Sequence, residues 1–469
     1  MNLHFFNSSI YQARRAELAN LIGDGLILFV ANEESGINYR DNTYPFRQDS
    51  NVLYYSGIDR AGISILIDAE EGQSYLMGDE ASMDDVVWTG PVPSLQELAM
   101  WSGIENIITQ AQGENLIKKT VTKGLRVHYL PVYRGDHSFK LGSLLGKTPE
   151  SIASDYSIPL AKAVVQQREI KSNVEITQLE QAIEVSGQMH RIMMTKTKAG
   201  MQESEVMAAV RSHCLAANLD IPYSIILSVD GQTLHNHSYH NVMKPGQLLL
   251  GDFGSDSHMH YAGDITRTIP VAATFSSFQK DIYNIVLDTL NKAIQAVKAG
   301  TKYLDIHLAA AKNIAQSMTQ LGFLSGDSDD LVALGAHALF FPHGLGHALG
   351  LDVHDMESIG EEYTGYTPDM TRSNQFGLRS LRLAKSLRSG MVLTVEPGIY
   401  FIPELISQWK AQGKFKDHIQ YDKIERMLPF GGIRIEDNVL VEDQGSKILG
   451  PPIPKEIKDV EELRQQAYL

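Results

Sequence analysis

Residues 248–270 read LLLGDFGSDSHMHYAGDITRTIP, in which two apolar, strand-forming runs flank a segment rich in turn-forming residues. A turn between two such runs predicts an antiparallel β-hairpin. Asp252 ends the first run and Asp264 begins the second. Because side chains opposite each other in an antiparallel pair lie close together, we expect the two carboxylates to face each other on one side of the sheet.

Three further segments carry a metal-binding side chain beside an apolar run or a glycine-rich turn: residues 340–355 (FFPHGLGHALGLDVHD), 392–400 (VLTVEPGIY) and 430–441 (FGGIRIEDNVLV). A carboxylate at the end of a buried strand must face solvent, a partner or a metal. Carboxylates that converge with an imidazole repel one another unless cations lie between them, and such donors suit divalent ions that prefer oxygen to sulfur. The sequence therefore predicts a two-metal hydrolytic site built from Asp252, Asp264, His347, Glu396 and Glu436.

Local chemistry explains how two of these side chains are presented. Pro397 forces an extended backbone at Glu396 and removes the next N–H, which places the carboxylate at a strand end. In GGIRIED, alternation along a strand puts Arg434 and Glu436 on one face. An arginine beside metal-bound carboxylates orients them. The HGLGH segment has glycines that disfavour a regular helix, and it lacks the glutamate of a helical HExxH site.

These segments, in this order, resemble those of the Xaa-Pro peptidase family, which includes the prolidases (Xaa-Pro dipeptidases) and the aminopeptidases P. The resemblance rests on GDITRT, HGLGHALGLDVHD, TVEPGIYF and GGIRIED occurring together. It implies an α/β (α+β) chain in which a smaller N-terminal α/β domain, residues 1–165, precedes a pita-bread catalytic domain, residues 166–469.

The resemblance also implies a role for each metal ligand. Asp264 and Glu436 bridge two divalent ions, Asp252 completes one ion, and His347 with Glu396 completes the other. The ions are expected to be Mn²⁺, with Zn²⁺ or Co²⁺ as alternatives. Asp252 and Asp264 are one residue further apart than in most relatives, which an extra turn residue or a β-bulge absorbs.

Further residues are expected near the substrate by resemblance. His343 and Arg434 lie beside it, and His354 donates to the substrate carbonyl or its oxyanion. His235, in the segment SVDGQTLHNHSYHN, matches the family's LH position.

His237 and His240 have no such match and are expected to be surface histidines.

The expected reaction is attack of a metal-activated water on a peptide carbonyl. Glu396 is the candidate that takes the proton of the water and passes it to the departing nitrogen, while His354 and His235 stabilise charge on the oxygen. The prolyl nitrogen carries no hydrogen and its ring fixes a backbone angle, so a dedicated site must fit the ring. The preference for proline is implied by the resemblance alone.

Dipeptides and longer peptides remain alternative substrates. Residues 377–382 (GLRSLR) resemble prolidases, in which the second arginine, here Arg382, meets the free carboxylate of a dipeptide. A solvated basic helix with Arg379, Lys385 and Arg388 is the alternative interpretation. Residues 44–57 (YPFRQDSNVLYYSG) instead resemble the N-terminal domain of the aminopeptidases P. The sequence favours short Xaa-Pro dipeptides, with release of the first residue from longer Xaa-Pro peptides as the alternative.

Other classes of protein fit this sequence less well. A methionine aminopeptidase is disfavoured by the additional N-terminal domain and by GLRSLR, and a creatine-type hydrolase by the intact ligands. A non-catalytic pita-bread binding module would have lost those ligands. Metal analysis distinguishes a binding module from an enzyme.

Bulk properties restrict the partners. A chain of 469 residues is long enough for two or three domains, and a net charge of −15 argues against nucleic acid. The N-terminus lacks a secretory pattern and no apolar run is long enough to span a membrane, so a cytoplasmic location is expected. The single cysteine, Cys214, is expected as a buried thiol in a reducing compartment. The resemblance implies a homodimer or a higher homo-oligomer.

Periodicity predicts the elements. Helices are expected at residues 11–22, 173–198, 203–217 and 278–299, with Gly300 as the stop of the last, and a solvated helix in 454–469. Strands are expected at 25–31, 62–68, 74–77, 125–130, 223–229, 247–253 and 265–271, and a strand with a turn at 44–57.

Overall fold

The computed structural model describes residues 4–468 and divides the chain into two compact units. The first unit comprises the chain up to residue 168 together with residues 356–363. The second unit comprises residues 169–355 and the chain from residue 364 onward. The catalytic segments predicted from the sequence all lie in the second unit.

The first unit is a mixed sheet with helices. Its strands are β1 (Leu26–Phe29), β2 (Gly36–Tyr39), β3 (Asn42–Thr43), β4 (Ser64–Asp68), β5 (Ser74–Met77), β6 (Asn106–Ile108) and β7 (Val127–His128). Its helices are α1 (Ser8–Ile22), α2 (Ser50–Ser56), α3 (Met83–Thr89), α4 (Leu95–Ser102), α5 (Gln110–Thr122), α6 (Gly135–Leu145), α7 (Pro149–Ser154) and α8 (Ile158–Arg168). The main sheet has the order β6-β5-β4-β1-β7, with antiparallel pairs in its centre and a parallel pair at each edge.

The strand and turn predicted for residues 44–57 is wrong. Residues 50–56 form helix α2, whose side chains are all buried. Asp49 caps this helix by accepting hydrogen bonds from the backbone N–H groups of Asn51 (2.9 Å) and Val52 (3.3 Å). Gly57 ends it with φ +74°, a left-handed conformation that glycine adopts easily. The aromatic and β-branched residues that favour a strand are accommodated in a helix because they are buried.

The second unit contains the remaining elements. Its helices are α9 (Asn173–Lys196), α10 (Glu203–Ala216), α11 (Ser277–Ala296), α12 (Tyr303–Gln320), α13 (Ser328–Leu334), α15 (Pro403–Ala411), α16 (Tyr421–Glu425) and α17 (Ile457–Gln466). Helix α14 (Glu361–Thr364) begins in the first unit, and its last residue belongs to the second. Its strands are β8 (Ile226–Ser228), β9 (Leu248–Asp252), β10 (Thr266–Pro270), β11 (Val392–Val395), β12 (Gly398–Tyr400), β13 (Gly432–Arg434), β14 (Asp437–Glu442) and β15 (Gly445–Ile448). They form sheets of order β10-β9-β8, β11-β14-β15 and β12-β13.

The predicted hairpin is confirmed: β9 and β10 pair antiparallel, with Asp252 opposite Thr266. The three strands predicted in this part of the chain are present but shorter than predicted. Cys214 lies buried in α10, as expected, where burial raises the pKa of its thiol. In the part of the chain that the structure describes, no helix is long and apolar enough to cross a membrane.

Helix α11 shows how the core forms. Ser276 and Gln279 cap its start reciprocally, and Ile282, Val286 and Leu290 recur at helical spacing on one buried face. The helix ends at Ala296 rather than at the predicted residue 299. Gly300, with φ +86°, therefore lies in the turn before α12 and is not the direct helix stop.

A solvated helix was predicted for residues 454–469, but one face of helix α17 is buried. Val460 and Arg464 of α17 are completely buried. The Arg464 guanidinium donates to the backbone carbonyls of Pro270 (2.9 Å), Val271 (2.9 Å) and Thr197 (2.7 Å). Residue 469 lies outside the described residues.

Candidate active site

The hairpin β9–β10 presents two carboxylates at one end. Asp252 is the last residue of β9, and Asp264 lies two residues before β10. The Tyr223 hydroxyl is 2.8 Å from Asp252 Oδ1 and 2.5 Å from Asp264 Oδ1. The Asp264 backbone N–H donates to Asn438 Oδ1 at 3.0 Å. The two acids are therefore held side by side, as the hairpin predicted.

The HGLGH segment runs alongside β11. The His347 backbone N–H donates to Thr394 Oγ1 (3.1 Å), and the Thr394 N–H donates back to the His347 carbonyl (2.9 Å). The Glu396 N–H donates to the Leu345 carbonyl (2.8 Å). A Cβ on Gly346 would lie only 2.6 Å from the Tyr303 hydroxyl oxygen and even closer to the Thr394 carbonyl oxygen. Glycine at 346 thus lets the imidazole and the carboxylate approach each other from non-helical backbone.

Glu436 lies between β13 and β14, directly before Asp437, whose register partner is Val395. Its backbone N–H donates to the Thr266 carbonyl (3.1 Å), and the Thr266 hydroxyl donates to Glu436 Oε2 (2.7 Å). Glu396 follows Val395, so the second pair of acids also lies at one end of an antiparallel strand pair. The two halves of the site therefore use the same local arrangement.

Three of the predicted ligands form a compact buried cluster. Asp264, His347 and Glu436 each offer one ligand atom, and these atoms all lie within 4.8 Å of one another. His347 Nε2 is 3.2 Å from Asp264 Oδ2 and 3.8 Å from Glu396 Oε1. Carboxylate oxygens with one imidazole nitrogen suit a divalent cation such as Mn²⁺ or Zn²⁺, so the residues present fit the predicted metal.

The charges of the cluster shift its pKa values. Burial raises the pKa of Glu396 to about 7, although the charges of His347 and Arg434 lower it. Burial, followed by the negative charge of Asp264, raises the pKa of Glu436 well above its usual range. Burial alone would lower the pKa of His347, but the hydrogen bond and charge of Asp264 raise it overall. The carboxylates thus crowd each other electrostatically, and a bound cation would relieve this.

Arg434 is a buried cation that binds one acid of the site, Asp252, and two hydroxyl groups. Its guanidinium donates to Asp252 Oδ2, to the Tyr400 hydroxyl (2.9 Å) and to Thr266 Oγ1 (3.0 Å). It also lines the cavity above the cluster. The sequence predicted that Arg434 faces the same side as Glu436, and both line this cavity.

The cluster lies in a cavity of about 740 Å³ within the second unit. Every predicted site residue lines it: Asp252, Asp264, His347, Glu396, Glu436, His235, His343, His354, Arg382 and Arg434. Apolar side chains of Ile226, Leu234, Pro342 and Val353 line it as well. The cavity therefore combines ionic groups with an apolar surface of the kind that a small ring can contact.

The histidines lie at different positions in this cavity. His343 Nε2 is 2.8 Å from the Tyr400 hydroxyl, and burial lowers the pKa of His343 to about 3. The His354 ring packs on the His347 ring with centroids 3.9 Å apart. Asp355, the next residue, forms a buried ion pair with Lys171 at 2.9 Å. The ion pair between Asp355 and Lys171 thus anchors the loop that carries His354.

His235, His237 and His240 are all exposed. His237 and His240 were expected at the surface, and both are, but His237 also lines the cavity beside His235. The sequence offered no signal to separate His237 from His240, because both lie in one irregular loop.

Arg382 is half-buried and lies in an irregular segment that follows a turn. The alternative interpretation, a solvated basic helix with Arg379, Lys385 and Arg388, is wrong, because residues 377–390 contain no helix.

Two tyrosines of the site were missed by the sequence analysis. Tyr223 lies between the Asp252 and Asp264 carboxylates, and Tyr400 joins His343 to Arg434. Tyr400 lies within the quoted TVEPGIY segment, so its motif was a signal. Tyr223 lies in an apolar run without any polar pattern, and only the fold brings it to the site.

Comparisons with known proteins agree with this geometry. Residues 177–443 match the sequence model of metallopeptidase family M24, and residues 11–128 match that of the aminopeptidase P N-terminal domain. A protein of Sordaria macrospora named "Probable Xaa-Pro aminopeptidase" is 31% identical, over 91% of this chain and 88% of its own. The Xaa-Pro dipeptidase of Homo sapiens is 29% identical, over 93% and 88%.

Solved structures of aminopeptidase P from Escherichia coli are similar to the whole chain. The zinc-substituted enzyme in complex with product has a TM-score of 0.81 and 26% identity, over 99% of both chains. The enzyme with the inhibitor Pro-Leu has a TM-score of 0.80 and 26% identity, over 99% of this chain and 100% of its own. These likenesses confirm the predicted α/β fold, with a pita-bread domain after a smaller N-terminal domain.

Proposed function

This chain belongs to metallopeptidase family M24, and on that premise we propose that it hydrolyses the Xaa-Pro bond at the N-terminus of short peptides, with Xaa-Pro dipeptides as its preferred substrates. One observation carries the proposal. A buried cluster of Asp264, His347 and Glu436 lies in a cavity that also exposes Arg382 and apolar side chains. The cavity thus combines a cluster that can hold metal, a guanidinium that can pair with a carboxylate, and an apolar surface that a proline ring can contact.

We propose that two divalent ions would be held by Asp252, Asp264, His347, Glu396 and Glu436. The oxygen-rich donor set favours Mn²⁺, with Zn²⁺ or Co²⁺ as alternatives. Bound divalent ions would supply a water of lowered pKa at this site.

Glu396 is proposed to move the proton. Its Oε1 lies 3.8 Å from His347 Nε2 at the cluster, and a carboxylate held there can accept a proton and return it. Pro397 follows it and holds its backbone extended, so the carboxylate keeps its direction during the transfer.

Histidines are proposed to bind the substrate around this carboxylate. His354 and His235 donate to the carbonyl oxygen as charge develops on it, and such donors contribute a few kcal/mol when held in place, about 3–4 kcal/mol for a well-placed one. His343 and Arg434 lie beside the substrate. The Tyr400 hydroxyl is hydrogen-bonded to both His343 and Arg434, and this supports the proposal that the two side chains are held in fixed positions on the cavity wall.

Arg382 is proposed to bind the free carboxylate of a dipeptide. Its half-buried position on the cavity wall supports this role, because a guanidinium pairs well with a carboxylate. The alternative is an aminopeptidase P that releases the first residue from longer peptides. The match of residues 11–128 to the aminopeptidase P N-terminal domain supports this alternative.

Replacement of Arg382 tests the choice of substrate. Arg382→Ala should weaken hydrolysis of an Xaa-Pro dipeptide by about 1.5–3 kcal/mol, the range for hydrogen bonds to charged groups, and should affect an Xaa-Pro-Xaa tripeptide much less. Arg379→Ala is the matched control, because Arg379 is exposed and lies over the Phe376 ring. Equal losses for both substrates, or a wild-type preference for tripeptides, would favour the aminopeptidase.

Several further properties are proposed on the same basis. The domain boundary is proposed between residues 165 and 166, three residues before the end of the first unit at residue 168, and the protein is proposed to act in the cytoplasm as a homodimer or higher homo-oligomer. Neither nucleic acid nor a membrane is a partner. Mass measurement in solution tests the oligomer, and metal analysis of the purified protein tests Mn²⁺. A protein without stoichiometric metal would instead be a non-catalytic binding module.

A further inference from the structure

Arg267 places a charge in the interior of the second unit, where only 1% of it is exposed. Its side chain points away from the cavity, since residues alternate along β10 and Thr266 faces the site. An arginine has five N–H donors, and each is used here. They reach the carbonyls of Pro454 (3.0 Å), Thr266 (3.0 Å), Glu436 (2.6 Å) and Ile453 (3.2 Å) and Asp437 Oδ1 (2.7 Å).

One of these bonds is made to a proposed metal ligand. Arg267 holds the backbone carbonyl of Glu436, while Thr266 holds its N–H and its carboxylate. The ligand is therefore fixed at its carbonyl, its N–H and its side chain. Loss of the carbonyl bond would let the peptide of Glu436 rotate while its carboxylate stays bonded.

Two of the other bonds, to the carbonyls of Ile453 and Pro454, connect Arg267 to residues 452–455, which do not line the cavity. Lys455 Nζ pairs with Asp437 Oδ2, the carboxylate oxygen that Arg267 does not contact. The Lys455 side chain is 18% exposed. The Tyr283 hydroxyl donates to the Lys455 carbonyl (2.8 Å), and Arg191 donates to the Pro452 carbonyl (2.9 Å). The segment is thus anchored to α11 and α9 as well.

We propose that Arg267, Asp437 and Lys455 form a positioning network through which residues 452–455 set the ion affinity of the active site. The proposal rests on the proposed role of Glu436 as a metal ligand. Two cations share the Asp437 carboxylate. When Lys455 loses its charge, Arg267 becomes the only cation of this network on Asp437 and is drawn toward it, away from the Glu436 carbonyl.

Lys455→Met tests the network from outside the cavity. We expect it to weaken Mn²⁺ binding by about 10-fold, the lower end for loss of groups that orient metal ligands. The kcat should fall by a similar factor of about 10, with KM changed less than about 2-fold, because the substrate-binding surface is untouched. Calorimetric titration of metal-free protein with Mn²⁺ measures the affinity, and thermal unfolding of the same protein reports whether the fold is intact.

Lys447→Met is the matched control, because Lys447 pairs with Glu180 at the surface (2.7 Å) and contacts none of the network. It should leave Mn²⁺ affinity and kcat unchanged. Arg267→Lys, which keeps the charge but loses the fork, should weaken Mn²⁺ binding at least as much as Lys455→Met. If that variant does not fold, the two lysine variants still decide.

Equal Mn²⁺ affinity in the Lys455→Met and Lys447→Met proteins would overturn the network. A wild-type protein that binds no Mn²⁺, Zn²⁺ or Co²⁺ would overturn the proposed function itself, and the network with it. The two failures are distinguished by the wild-type titration.

Discussion

Gly346→Ala should separate the predicted ligand His347 from its place beside β11. The new Cβ would lie 2.6 Å from the Tyr303 hydroxyl oxygen, 2.8 Å from the Thr394 carbonyl carbon and closer still to the carbonyl oxygen. Ordinary contacts between such atoms need about 3.5 Å. The HGLGH backbone must therefore move by about 1 Å, since the obstacle is the backbone of a buried strand and cannot rotate away.

The cost follows from what such a movement breaks. Overpacking a buried site costs about 1–3 kcal/mol. The bond from the Tyr303 hydroxyl to the Thr394 carbonyl (2.7 Å) is buried, and leaving such a group without a partner costs a further 1–3 kcal/mol or so. We therefore expect the free energy of unfolding to fall by about 2–6 kcal/mol, together with a loss of bound metal.

Gly344→Ala is the matched control in the same motif. Its Cβ would meet the Leu381 Cα and the Ser380 carbonyl oxygen at 3.1 Å, which needs a shift of only a few tenths of an ångström. Neither glycine has a positive φ, so backbone strain does not distinguish them. We expect a loss near 1 kcal/mol for this variant. Urea denaturation of metal-free protein, followed by circular dichroism, measures both, and equal stability and equal activity of the two variants would refute the steric argument.

Three other predictions concern the acids and a buried histidine. Glu396→Gln should lower kcat by at least about 100-fold while KM changes little, because the amide cannot accept a proton; an unchanged rate at saturating substrate would exclude the proton-transfer role. Asp264→Asn should reduce bound metal and activity with an unchanged circular dichroism spectrum, and two retained ions with near-full turnover would contradict it. Burial lowers the pKa of His190 from 6.5 to about 3, so its neutral ring stabilises the fold above pH 6.5 and that contribution is lost as the pH falls toward 3. Between pH 6.5 and 4.5 the loss should be about 2 kcal/mol, and urea unfolding should show stability falling more steeply with pH in the wild type than in His190→Gln.

Much of the site could be predicted because its signals are local. The apolar runs and turn residues of 248–270 predicted the hairpin, and Pro397 predicted the strand end at Glu396; both are present. The glycines of HGLGH predicted non-helical backbone, and the segment is irregular. Such patterns act within a few residues, so they need no knowledge of the rest of the chain.

Other features could not be predicted because they depend on long-range contacts. Residues 50–56 have the composition of a strand, yet complete burial and the Asp49 cap make them helical. Arg464 looks like a solvated charge in its own helix, yet it satisfies carbonyls of residues about two hundred positions earlier. Secondary structure at such sites follows the surroundings, because burial and hydrogen bonding outweigh local propensity.

By itself, the sequence determined which side chains have metal-binding chemistry and which of the carboxylates lie at the ends of strands. Only the tertiary structure decided how they are held: Tyr223 between the two aspartates, Thr266 on Glu436, and Arg267 behind its carbonyl. These contacts join groups far apart in the chain. A buried charge or polar group is stable only where the fold supplies its partners, and no local pattern specifies which segment that will be.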